Sequence, residues 1–271
     1  MKLPLIALLL LLLAACTNSE KHENISMPGA YKMLYQKVKG GTTDTTFTSL
    51  QQQKIYTDEY MMYANFNPAD SVCNFGIGTY IIKPDVRISG AKTDTVTEHV
   101  FYNGNDTAKS ETLHHFKLLI EKTGVGYKQI IPGIESDSVQ FTLTEDYENV
   151  GTKLTTPLDG AWKMEKEFVV KGKDTTAINA TQFKVYYAGH FIWGHTYEDA
   201  AKKTHTGIGF GTFTLNGTDK LKESVTVSTY AGARNHDFDI ALEMTGADSF
   251  KQTITNTDSS KQVELYKKLK R

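Results

Sequence analysis

The chain has 271 residues, 39% hydrophobic and 23% charged, and its 30 Lys and Arg nearly balance 31 Asp and Glu, giving a net charge of −1. Such a balance excludes a general electrostatic pull on nucleic acid. Beyond the first 15 residues no apolar run approaches the roughly 18 residues a membrane span requires, which argues against an integral helical membrane protein.

In chain order, the first element is Met1-Lys2-Leu3 followed by an apolar run from Leu5 to Leu13 and then Leu13-Ala14-Ala15-Cys16. A short basic start, a short apolar stretch and small residues before a cut define a secretory signal. The Cys at the cut resembles the lipobox of bacterial lipoproteins. That resemblance implies a signal over residues 1–15 and a Cys16 that carries the lipid, palmitate among its acyl chains, so that membrane contact is through the anchor alone. Residues 16–27 are polar without apolar period and read as a tether. Asn18 and Ser19 soon after the Cys resemble the sorting pattern that sends lipoproteins to the outer membrane, with periplasmic and surface faces both open. With Cys16 lipidated, Cys73 has no intrachain disulfide partner and reads as a small apolar residue.

Gly29-Ala30-Tyr31-Lys32-Met33 then recurs 131 positions later as Gly160-Ala161-Trp162-Lys163-Met164. The likeness continues element by element: 51–56 (QQQKIY) answers 181–186 (TQFKVY), Gly76-Ile77-Gly78 answers Gly209-Phe210-Gly211, Tyr102-Asn103-Gly104 answers Tyr230-Ala231-Gly232, and 116–129 answers 238–252. A repeat of this length means one domain written twice. Domain 1 is expected over 28–150 and domain 2 over 158–271, joined by a linker at 151–157. Alternating stretches broken by Gly, Asp, Asn and Thr predict strands throughout. Phe183, Val185 and Tyr187 alternate with polar neighbours, then Phe191, Trp193 and His195 follow a turn at Ala188-Gly189. About eight short antiparallel strands per copy hide their edges best by closing, so the fold class is all-β: two tandem antiparallel up-and-down barrels.

The Gly160-Ala161-Trp162 start, with Lys267 and Lys268 on the last strand, resembles the lipocalin-like (calycin) superfamily. More closely, Phe191-Ile192-Trp193-Gly194-His195, the Gly-rich Gly207 to Thr212 and a closing Tyr266-Lys267-Lys268 look like lipocalin-like domains of unknown function in Bacteroidota lipoproteins. This resemblance implies barrel closure by Trp162 under a basic side chain, Lys267 or Lys268, in a cation–π contact. In the first copy Tyr31 replaces the Trp, and Met62 and Ala64 stand where Trp193 and His195 are.

Phe191, Trp193 and His195 are two apart and share one side of a strand. With Phe183 and Tyr187 they are expected to grip a small hydrophobic or amphipathic molecule, and Arg234 to stand at a barrel mouth, where it would meet an acidic group. Neither a cofactor nor a metal is expected, since His190 and His195 face opposite sides and no paired-Cys or His-Glu-x-x-His motif occurs. Gly207 to Gly211 lacks the spacing of a phosphate loop and reads as strand glycine at a close approach. No nucleophile motif occurs, and Glu145, Asp146 and Glu148 are neighbours only in sequence, so no enzyme is expected. The leading expectation is a lipid-anchored cell-envelope binding protein. The alternative is a structural or protein-interaction lipoprotein with filled barrels.

Overall fold

The structure, a computed structural model, describes residues 25–84, 93–104, 113–136 and 139–271. The expected signal, Cys16 and most of the expected tether lie outside the described residues.

Every regular element among the described residues is a strand, and the strands form two closed antiparallel sheets. The first contains β1 (Gly29–Gly40), β2 (Thr43–Phe47), β3 (Gln51–Tyr56), β4 (Tyr60–Asn67), β5 (Val72–Pro84), β6 (Thr93–Asn103), β7 (His114–Lys122), β8 (Gly126–Ser136) and β9 (Val139–Asn149). The second contains β10 (Gly160–Lys171), β11 (Asp174–Ile178), β12 (Ala180–Tyr187), β13 (His190–Glu198), β14 (Thr204–Asn216), β15 (Lys220–Ser228), β16 (His236–Gly246), β17 (Ser249–Thr255) and β18 (Lys261–Lys268). Pairing of β1 with β9, and of β10 with β18, closes each sheet. Along the other edge of β1, β2 and β3 follow one another, as β11 and β12 do on β10, so nine strands make eight staves. Closure pairs the long strands on both sides, and only the short, exposed β2 and β11 pair on one side alone among the described residues.

Local chemistry fixes the hairpins and the register. At Ala188-Gly189 both residues have positive φ, 52° and 79°, the signature of the type I′ turn whose twist matches its flanking strands. Gly209 lies under the Trp193 ring and Gly76 under the Tyr63 ring, so close that a Cβ on either glycine would collide with the aromatic. These glycines let a large ring lie flat across the neighbouring strand.

The repeat is symmetrical in space as well. Lys54 opposes Tyr63 as Lys184 opposes Trp193, and Gln52 opposes Asn65 as Gln182 opposes His195. The counterparts of Trp193 and His195 are therefore Tyr63 and Asn65, not Met62 and Ala64; the expected alignment was one residue out of register, which exchanges the two faces of a strand. Tyr102 likewise answers Val227, because Gly76 pairs Asn103 as Gly209 pairs Ser228. Tyr230 belongs to the loop after β15.

The barrels touch through their outer faces. Ala30, Ile55, Met62, Ala64, Phe75 and Ile77 of the first form one buried cluster with Ala161, Phe183, Val185, Ile192, Ile208 and Phe210 of the second. Here β3 meets β12, β4 meets β13 and β5 meets β14. Each of these strands thus meets its own counterpart, and β13 also meets β3 and β14 also meets β4, so the two faces are apposed with an offset. Cys73, half-buried, donates to the Thr206 carbonyl at 3.5 Å, and these residues occupy equivalent positions in the two copies. The cysteine thus packs between barrels as a small apolar side chain, its thiol pushed up from the ordinary value by burial.

Candidate ligand cavity in the second barrel

Alternation along β12 points Gln182, Lys184 and Tyr186 into the lumen and Phe183, Val185 and Tyr187 away from it. On β13, Phe191, Trp193 and His195 face inward, opposite that same polar set. Trp162, Tyr186, Phe191, Phe213, Leu221 and Phe250 fill one end with apolar and aromatic bulk. Trp162 is fully buried, its Nε1 donates to the Leu158 carbonyl at 2.7 Å, and the Lys268 ammonium stands 5.3 Å from its ring. Lys268 also donates to the Asp159 carbonyl at 2.8 Å. Lys267 is exposed on the opposite face of β18, so Lys268 alone makes the closing contact. In the first barrel Tyr31 makes the equivalent hydrogen bond, donating to the Met27 carbonyl at 3.1 Å.

A polar band crosses the lumen next to this floor. Lys184 stands 3.1 Å from Glu223 and also donates to Gln252 at 3.3 Å, while Tyr186 donates to Glu223. Gln252 donates to Glu264 at 2.6 Å and Tyr266 does so at 2.5 Å, with Gln182 donating to Tyr266 and, at 3.3 Å, to Glu264. The first barrel holds the same set. Lys54 lies 3.0 Å from both Glu98 and Gln129, Tyr56 donates to Glu98, Gln129 and Tyr147 donate to Glu145, and Gln52 donates to Tyr147. Only 3% of the Lys184 and 4% of the Glu223 side chain is exposed. Burying either charge alone would cost several kcal/mol, so a satisfied network is what makes the pair tolerable.

Beyond the band the second lumen opens into a cavity of about 300 Å³. Its polar side presents Gln182, Lys184, Glu223, Gln252, Gln262 and Glu264, and its apolar side Trp193, Val225, Tyr230, Phe238 and Ile254, with His195 between. Trp193 and Tyr230 stack with ring centres 6.1 Å apart. His195 Nδ1 lies 3.0 Å from Gln182 Oε1, and its Nε2 lies 2.7 Å from the Tyr230 hydroxyl. Because Gln182 turns its amide N–H groups toward Glu264 and Tyr266, its oxygen faces the imidazole. That assigns the proton to Nδ1 and makes Nε2 the acceptor for Tyr230. Burial lowers the His195 pKa to about 4, so the ring is neutral at pH 7. Glu167 on β10 shares Gln262 with Glu264, each oxygen 2.8 Å from the same amide nitrogen. Burial first, and the Glu264 charge second, raise its pKa to about 7.

The expected gripping residues therefore divide. Trp193 and His195 line the cavity, and Phe191 lies below it in the closed end. Phe183 and Tyr187 lie on the outer face: Phe183 packs on Tyr102 of the first barrel at 5.0 Å, and Tyr187 borders the inter-barrel cluster. Both faces of β12 are buried, and the more apolar one went to the neighbouring barrel, not to the lumen. Arg234 is on the loop at the open end, but its guanidinium donates to the Ser228 carbonyl at 2.9 Å and lies 4.9 Å above Phe66 of the first barrel. It pins the loop and does not face the cavity. Glu145, far from being a neighbour only in sequence, belongs to the first barrel's network. The signal for both networks was present in the repeat itself: Gln-x-Lys-x-Tyr at 52–56 and 182–186, and Glu-x-Tyr at 145–147 and 264–266. Among the described residues no group of three His, Cys, Asp or Glu side chains is placed to hold a metal. No protein-family model matches the chain, and no curated protein is a significant relative of it.

Proposed function

We propose that this chain is a lipid-anchored binding protein of the cell envelope, tied to the outer membrane by Cys16, which carries a small, partly apolar molecule in its second barrel without chemically changing it. The observation that carries this reading is the cavity of about 300 Å³ walled by Trp193, Tyr230, Phe238 and His195. Its volume is at the lower end of the roughly 300–1,000 Å³ typical of ligand sites, and an apolar wall with a few convergent polar groups is their usual chemistry. The Lys268 contact on Trp162 supports a lipocalin-like (calycin) reading of the barrels.

Native mass spectrometry of the protein extracted from its host membranes tests both halves of the proposal. The expected spectrum shows an acyl-modified Cys16 and a small molecule that leaves when Trp193 is changed to Ala. An unmodified, soluble chain would remove the anchor, and a ligand-free spectrum across growth conditions would remove the carrier role.

A further inference from the structure

The two lumens start from the same polar band and differ where the second one opens. By register, Glu167 opposes Glu264 as Gln36 opposes Glu145. Gln36 donates to Glu145 at 3.0 Å, a neutral partner for a carboxylate. In the second barrel a carboxylate replaces that amide, and Gln262 must serve Glu167 and Glu264 together. Asn65 becomes His195 and Tyr63 becomes Trp193, the best of the aromatic faces for attracting a cation.

The charges inside the second barrel are consequently unequal. Lys184 is the one buried ammonium there among the described residues, against the carboxylates of Glu167, Glu223 and Glu264, and it is committed to Glu223. His195 is neutral, and Arg234 is turned toward Phe66. Glu264 is held only by neutral donors: Gln182, Gln252, Gln262 and Tyr266. A carboxylate this deeply buried is stabilised far more by a nearby positive charge than by amide dipoles alone. The cavity that reaches it is lined by Trp193, Tyr230 and Phe238, whose ring faces carry negative quadrupole.

We infer that the second barrel selects a small organic cation, an ammonium on an apolar body, with the charged head directed toward Glu264, which lines the cavity, the body against Trp193, Tyr230 and Phe238, and Glu167 adding its charge from behind the shared Gln262, outside the lining. This inference rests on the cavity being a ligand site. A neutral molecule would leave the excess negative charge unanswered, and an anion would add to it.

The test uses three probes of matched shape, 2-phenylethylammonium, 2-phenylethanol and phenylacetate, titrated into the purified chain at pH 8 and low salt. Calorimetry reads the affinity, and tryptophan fluorescence reports on Trp193 in the cavity wall. The ammonium is expected to bind at least tenfold tighter than the alcohol, and phenylacetate weakest. Glu167→Gln reproduces the Gln36 arrangement that the first barrel already folds with. It is expected to weaken the ammonium about tenfold while leaving the alcohol unchanged, with circular dichroism matching the parent. Glu264→Gln is expected to do the same more strongly. Equal or tighter binding of the alcohol or phenylacetate would overturn the cation preference and leave the cavity standing as a ligand site. Saturable binding by none of the three would overturn both.

Discussion

Glu167 and His195 push stability in opposite directions across one pH range. Glu167 has its carboxyl raised from the ordinary 4.5 to about 7, chiefly by burial, so the folded chain holds that proton more tightly than the unfolded one. Stability then falls as pH rises from about 4.5 to about 7. His195 has its ring lowered from 6.5 to about 4, also by burial, so its contribution is complete above pH 6.5 and is lost as pH falls toward 4. The two slopes offset each other in the parent. Single substitutions copied from the first barrel separate them: Glu167→Gln should give a melting temperature that climbs from pH 4 to 6.5, and His195→Asn one that declines from 4.5 to 7. Water reaching these side chains screens part of each effect, which leaves about 1 kcal/mol, or roughly 2–4 °C in a chain of this size. A thermal scan at half-unit pH steps decides it; parallel profiles for parent and both variants would show that neither group titrates as its surroundings dictate.

Among the elements, β12 shows most clearly how far the sequence could be read. Its strand character, its turn at Ala188-Gly189 and its place in a closing meander followed from alternation and repeat. Its inward face did not. Period-two alternation identifies two faces but ranks them only by apolarity, and that ranking fails when a second buried surface competes for the greasier face. Phe183, Val185 and Tyr187 were outbid from the lumen by the neighbouring barrel, whereas on β13 Phe191, Trp193 and His195 could be assigned because they were bulkier than Ile192 and Gly194. The polar face of β12 carries its own test. Lys184→Met leaves Glu223 buried without its ammonium and should cost about 3–5 kcal/mol in urea unfolding. Adding Glu223→Gln removes the stranded charge and should recover most of that loss. A double variant as unstable as the sum of its single changes would mean that the two side chains act independently.

Across the whole molecule, the shared apolar cluster couples two domains that the sequence presents as beads on a string. Val185, Ile192 and Ile208 are fully buried and pack in the cluster shared with the first barrel. The parent is expected to melt in one calorimetric transition. Ile192→Asp puts a carboxylate into that contact, a substitution that costs several kcal/mol when no partner is present, and should resolve the melt into two peaks. A single unsplit peak in the variant would show that the cluster does not join the barrels energetically.

The contact between the corresponding outer faces of the two copies has a genetic consequence. In an assembly of two identical chains, every mutation appears on both sides of the axis at once, so neither site can change while the other stays as it was. Joining the halves in one polypeptide lifts that constraint: the face that holds them together stays matched, while Gln36 and Glu167, or Tyr63 and Trp193, are free to drift apart. One half can keep the founding chemistry while its twin acquires a new specificity.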